Sequence, residues 1–130
     1  MTDKQVCAGD ATLVFSCSGA ADVGEITDLA ARKLMRDGKG QMFCLAGVGG
    51  QVAPILDKTR AAKRILAIDG CGLDCTKSML EKAGINGTHG VEHLRVTDMG
   101  LTKGHSPASK ANVEVVVTQA RAMLRKEKPV

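Results

Sequence analysis

The stretch Ile65-Leu66-Ala67-Ile68-Asp69-Gly70-Cys71-Gly72-Leu73-Asp74-Cys75 decides the fold. An apolar run enters a glycine-bounded corner, and a helix-like run, Thr76 to Ala83, leaves it. The pattern recurs upstream. Leu13-Val14-Phe15-Ser16 leads into Cys17, and Gln41-Met42-Phe43 leads into Cys44. Glycine follows each cysteine within three residues, at Gly19, Gly47 and Gly72. Cys17, Cys44 and Cys71 are spaced by 27 residues and again by 27, which suits one strand, one helix and two turns. The unit is a strand ending in cysteine, repeated, with Cys75 as an extra thiol beside the third copy.

Working outward, Thr12 to Ser16 reads as the first strand, and a helix runs from the Cys17–Asp22 turn to about Arg36. Val23, Ile26, Ala30 and Leu34 share one face of that helix. Gln41 to Leu45 reads as a second strand, Ala46 to Gly50 as a glycine turn, and a short helix carrying Val52, Ile55 and Leu56 follows. Arg64 to Asp69 is the third strand, Thr76 to Ala83 the third helix with Gly84 as its cap, and Val91 to Thr97 the fourth strand. Ser106-Pro107 is read as the start of a last helix reaching about Lys126. Alternation of this kind predicts an α/β fold, three layers deep, with a four-stranded parallel sheet in the Rossmann-like or flavodoxin-like order 2-1-3-4. Ligands in such sheets bind beyond the carboxyl ends of the strands, where the order reverses. That places Cys17 and Cys71 side by side, with Cys44 one strand away.

The 130 residues suit one domain, with residues 1–10 as a polar lead-in that carries Cys7. No apolar run has the ~18 residues of a membrane span, and the start lacks a signal pattern. A reducing cytoplasm is therefore expected, where cysteines serve metal or redox chemistry rather than bridges. The net charge of +4 is mild and falls partly on the last helix, and the chain has no Trp or Tyr. Neither a membrane nor a nucleic acid is expected as a partner.

Four thiolates make a complete shell for Zn²⁺. Helix N-termini at the same edge complement its negative charge. An iron–sulfur cluster takes the same donors and is the less favoured cofactor. Beside the thiols, Ser18, Gly19, Gly47, Gly49, Gly50, Asp69 and Gly70 are candidates for supporting the site or cradling an anion. The simpler reading of the glycines is tight turning, and of Asp69 and Asp98 helix capping or a place in a turn. Cys7 reads as a small core residue. His89, His93 and His105 have no metal spacing among them and read as surface histidines.

Cys17-Ser18-Gly19 with Asp22-Val23-Gly24, Met42-Phe43-Cys44-Leu45-Ala46-Gly47-Val48-Gly49, Ile68-Asp69-Gly70-Cys71 with Cys75, and Val96-Thr97-Asp98-Met99-Gly100 together resemble the DGC domain family, zinc-binding proteins named for an Asp-Gly-Cys tripeptide. The resemblance covers roughly residues 12 to 103. It implies Cys17, Cys44, Cys71 and Cys75 as chelating positions and supplies no reaction. Gly72 departs from the family's pattern, which favours proline there; the turn is looser and no ligand is lost.

Hydrolytic classes find little support. A cysteine phosphatase needs an arginine six positions after its nucleophile, where this chain has Val23, Gly50 and Lys77. No Gly-x-Ser-x-Gly elbow is present. Three classes remain: a zinc-binding protein, a thiol redox or sulfur-handling enzyme using Cys71 and Cys75 with Cys17, and a metal or redox sensor acting through a partner protein.

Overall fold

The computed structural model describes residues 12–85 and 90–126. Cys7, the 1–10 lead-in and His89 lie outside them. Four parallel strands, β1 (Thr12–Ser16), β2 (Gln41–Met42), β3 (Arg64–Asp69) and β4 (Glu92–Arg95), form one sheet in the order β2-β1-β3-β4. Among the described residues five α-helices accompany them: α1 (Asp22–Arg36), α2 (Leu45–Gly49), α3 (Ala53–Ala61), α4 (Cys75–Lys82) and α5 (Lys110–Arg125).

Strand periodicity assigns the layers. Val14, Leu66, Ile68 and Leu94 face α1 and α5, packing on Ile26, Leu34, Val113 and Val117. The alternate residues Leu13, Phe15, Ile65 and Ala67 face the other way, onto Val48, Leu80 and Ile85. Both faces of the central strands are thus buried, as continuous apolar runs in a parallel sheet require. β1 and β3 are in register from Thr12↔Arg64 to Ser16↔Ile68, and Cys17 N–H extends the ladder to the Ile68 carbonyl at 3.1 Å. Strand order reverses between these two parallel strands, β2 lying outside β1 and β4 outside β3, so the carboxyl edge there is the switch point.

Four elements differ from the sequence expectation, among them β4, which ends at Arg95 where Val96–Met99 turns into a 3-10 helix. β2 pairs through only Gln41 and Met42, and the expected glycine turn is helical. Close packing explains why glycines sit in that helix. A Cβ on Gly47 would lie 2.7 Å from Ile55 Cγ1, and one on Gly49 would lie 2.8 Å from Met79 Sδ. The last helix begins at Lys110, not at Pro107. Ser109 is its cap, accepting the Asn112 N–H at 3.2 Å, while Ser106 is buried and accepts the Thr102 N–H at 2.7 Å. Val116 and Val117 are fully buried in α5, so burial outweighs the weak helix propensity of the valine triplet. Ser109→Ala is expected to cost about 1 kcal/mol in urea unfolding by removing that cap. A larger loss from Pro107→Ala than from Ser109→Ala would contradict this start of the helix.

Candidate functional site

The site begins with what holds the β3–α4 corner. Asp69 is 1% exposed. Its Oδ1 accepts the Thr76 N–H at 2.7 Å and its Oδ2 the Lys77 N–H at 3.1 Å. The carboxylate therefore caps α4 across the whole cysteine loop, satisfying donors that a helix start leaves free. His93 Nε2 lies 2.8 Å from Asp69 Oδ2 and 3.6 Å from Asp74 Oδ1. Asp74 takes a left-handed conformation, φ +51°, and pairs bidentately with Arg95 at 2.8 and 2.5 Å. The Arg95 hydrogen bonds hold the Asp74 carboxyl below the usual carboxylate range, against the opposing effect of burial. Arg95 also reaches Asp98, and its two carboxylate partners raise its pKa.

Asp69 is thus the capping residue the sequence suggested. His93, read as a surface histidine, is instead bound into this network and partly buried. Its strand position gave the one available signal. His93 is in register with Ala67, two residues before Asp69, so His93 and Asp69 share a face of the sheet. Asp69, Asp74 and His93 bring one ligand atom each within 4.8 Å of one another. Arg95 already occupies both oxygens of Asp74, and helix N–H groups and His93 occupy those of Asp69. The cluster's donors are committed to positioning α4.

The four described cysteines stand along the carboxyl edge, all as free thiols. Cys17 Sγ lies 3.4 Å from Thr27 Oγ1. The single Thr27 hydroxyl hydrogen goes to the Gly24 carbonyl at 2.7 Å, which leaves the Cys17 S–H as the donor. Ser18, at φ +51°, is pinned beside it. Its N–H donates to Thr27 Oγ1 at 3.1 Å and its hydroxyl to Asp28 Oδ1 at 2.8 Å. Cys44 caps α2, its sulfur accepting the Gly47 N–H at 3.3 Å. Cys71 is half-buried, with Lys103 Nζ 3.9 Å from its sulfur. Gly70 before it has no room for a side chain, because a Cβ there would lie 2.9 Å from the Val23 backbone. Cys75 is exposed at the start of α4, on a groove of about 440 Å³ shared with Val48, Gln51 and Met79.

In kind and in placement these thiols suit zinc. In spacing they are open. A tetrahedral shell with Zn–S bonds of about 2.3 Å puts its sulfurs about 3.8 Å apart. Among the described residues no three sulfurs lie within 4.8 Å of one another. A shell would form only as the loops draw together. Gly19 and Gly72 both border open space, with nothing within 4 Å of a Cβ placed on them. Gly47 and Gly49 have packing reasons of their own, and Gly50 has only the Ala46 carbonyl and Val52 nearby.

A parallel sheet whose first three strands each feed a cysteine at the carboxyl edge, with a fourth cysteine opening the next helix, defines the class of this protein. The chain belongs to the DGC domain family, whose model matches residues 13–120. It is 35% identical over 99 residues to the anaerobic and virulence modulator AnvM of Pseudomonas aeruginosa, an alignment spanning 76% of this chain and 73% of AnvM. No solved structure matches it. Among the described residues no helix is long and apolar enough to cross a membrane.

Proposed function

We propose that this protein binds zinc through Cys17, Cys44, Cys71 and Cys75, in a reducing, cytoplasmic setting. One observation carries the reading. All four described thiols, from three separate turns of the chain, are unbridged and stand on the one edge where parallel sheets take ligands. Zinc would supply a structural tie between the loops at this edge; a closed four-thiolate shell offers no position for substrate. The fold keeps its own apolar core, so metal tightens the edge without being required for folding.

The test is metal content after anaerobic purification. About one zinc per chain is expected, with iron and inorganic sulfide absent. Serine at any of the four positions is expected to lower retention at least about tenfold, since an alcohol is a poor zinc ligand at neutral pH. Cys7→Ser is expected to leave it unchanged. Iron with sulfide would replace zinc by a cluster, and metal retained by Cys44→Ser would remove that ligand.

A second reading, a sensor acting through a partner protein, draws on two observations. AnvM is named as a modulator. Leu73, between Cys71 and Cys75, is 71% exposed, an apolar side chain presented at the tip of the cysteine loop.

A further inference from the structure

The N-terminal turn of α1 holds two distant loops against each other. The first is the Cys71 corner, where Gly70 packs on the Val23 backbone and the Gly70 carbonyl accepts the Thr97 N–H at 3.2 Å. The second is the loop that carries Lys103. Asp22, the first residue of α1, accepts the Gly104 N–H at 2.9 Å on Oδ1 and the Ser106 N–H at 3.0 Å on Oδ2. Ser106 in turn accepts the Thr102 N–H at 2.7 Å. The backbone is therefore tied on both sides of Lys103. Gly104, at φ +90°, turns the chain at that point. Lys103 Nζ arrives 3.9 Å from Cys71 Sγ although the residues are 32 apart in sequence. Among the described residues Lys103 has no carboxylate partner, so its ammonium group is not committed elsewhere. Of the four sulfurs, Cys71 alone has an amine among its described contacts.

We infer that Cys71 and Lys103 form a reversible covalent cross-link, an S–N bond, when the protein meets hydrogen peroxide. The chemistry balances in two steps. The Cys71 thiol sulfur takes one oxygen from peroxide; the O–O bond breaks, water leaves, and the sulfur is oxidised by two electrons to a sulfenic acid. The Lys103 ammonium first releases one proton to solvent, and the free amine nitrogen attacks that sulfur. The S–O bond breaks and the S–N bond forms. The hydroxyl leaves as water with a second proton from the nitrogen. The cross-linked chain has lost two hydrogens. A small thiol reverses the link by attacking sulfur, releasing the amine and forming a mixed disulfide, which a second thiol reduces. Backbone ties on both loops favour capture by Lys103 over further oxidation, because they keep the exposed Lys103 side chain within reach of the sulfur before the sulfenic acid exists. The cross-link belongs to the chain without metal at Cys71, because a zinc-bound sulfur is not a free thiol, and it does not require that zinc bind at all.

The test uses the full chain, treated with a chelator and with metal content measured separately, so that a failure of the zinc reading cannot be mistaken for this one. Peroxide is added, free thiols are alkylated, and the chain is mapped by peptide mass spectrometry. A Cys71–Lys103 peptide pair lacking two hydrogens, returned to the free peptides by dithiothreitol, is expected in the native chain and in Cys75→Ser. A chain with Cys71 as its only cysteine, checked for folding by far-UV circular dichroism, is expected to give the same pair. Lys103→Arg, whose guanidinium is a poor nucleophile, is expected to leave sulfenic and sulfinic Cys71 instead. Cys71 found only as a disulfide or as oxygen adducts in the native chain and in Cys75→Ser, with Lys103 unmodified, would overturn the inference.

Discussion

Asp69→Ala is expected to cost about 3–5 kcal/mol of folding stability, within the range for breaking a buried charged network. The carboxylate is 1% exposed and receives two helix N–H groups and His93. Alanine leaves the Thr76 and Lys77 amides without acceptors at the start of α4 and His93 without its nearer carboxylate. Asp69→Asn retains one carbonyl oxygen and should lose roughly half as much, because its amide group cannot accept a hydrogen bond. Urea unfolding gives the totals, and amide exchange locates the damage. Thr76 and Lys77 should lose protection first, followed by the turn bearing Cys75. A loss below about 0.5 kcal/mol, the ordinary surface range, would mean that the cap is dispensable.

At the opposite edge of the sheet, Arg64→Met is expected to have a comparable effect, about 3–5 kcal/mol. Arg64 starts β3 with its side chain only 12% exposed. It grips Glu92 of β4 bidentately at 2.5 and 2.9 Å. It also donates to the carbonyls of Met123, Leu124 and Lys126 at the end of α5. One guanidinium thus ties two strands to a helix C-terminus, whose last carbonyls lack helical partners and favour a cation. Methionine keeps most of the stem packing and removes every donor, leaving Glu92 partly buried and unpaired. The double variant Arg64→Met, Glu92→Met should recover part of the loss, since removing both charges abolishes the unpaired one. Strict additivity of the two single variants would show that the pair is not coupled.

The parallel sheet, its order and the bounds of β1, β3 and α1 were legible in the sequence. Each rests on a local signal: β-branched apolar runs for the strands and an apolar stripe at helical spacing for α1. Signals weakened where tertiary packing set the local conformation. Gly47 and Gly49 looked like turn residues, yet they lie in a helix, where Ile55 and Met79 leave no room for a side chain. Ser106-Pro107 looked like a helix start, yet Asp22 draws Ser106 into the preceding loop and Ser109 becomes the cap.

The candidate site divides in the same way. By itself the sequence determined that three strands deliver cysteines to one edge and that a fourth cysteine opens a helix, because strand periodicity and the 27-residue repeat are local properties of the chain. Only the tertiary structure decided what touches those cysteines. His93 reaches Asp69 because β4 lies beside β3 in a particular register, and Lys103 reaches Cys71 because both loops dock on the first turn of α1. These contacts join residues 24 and 32 positions apart. No local pattern encodes such a pairing; side-chain direction and backbone hydrogen bonding across the assembled sheet determine it.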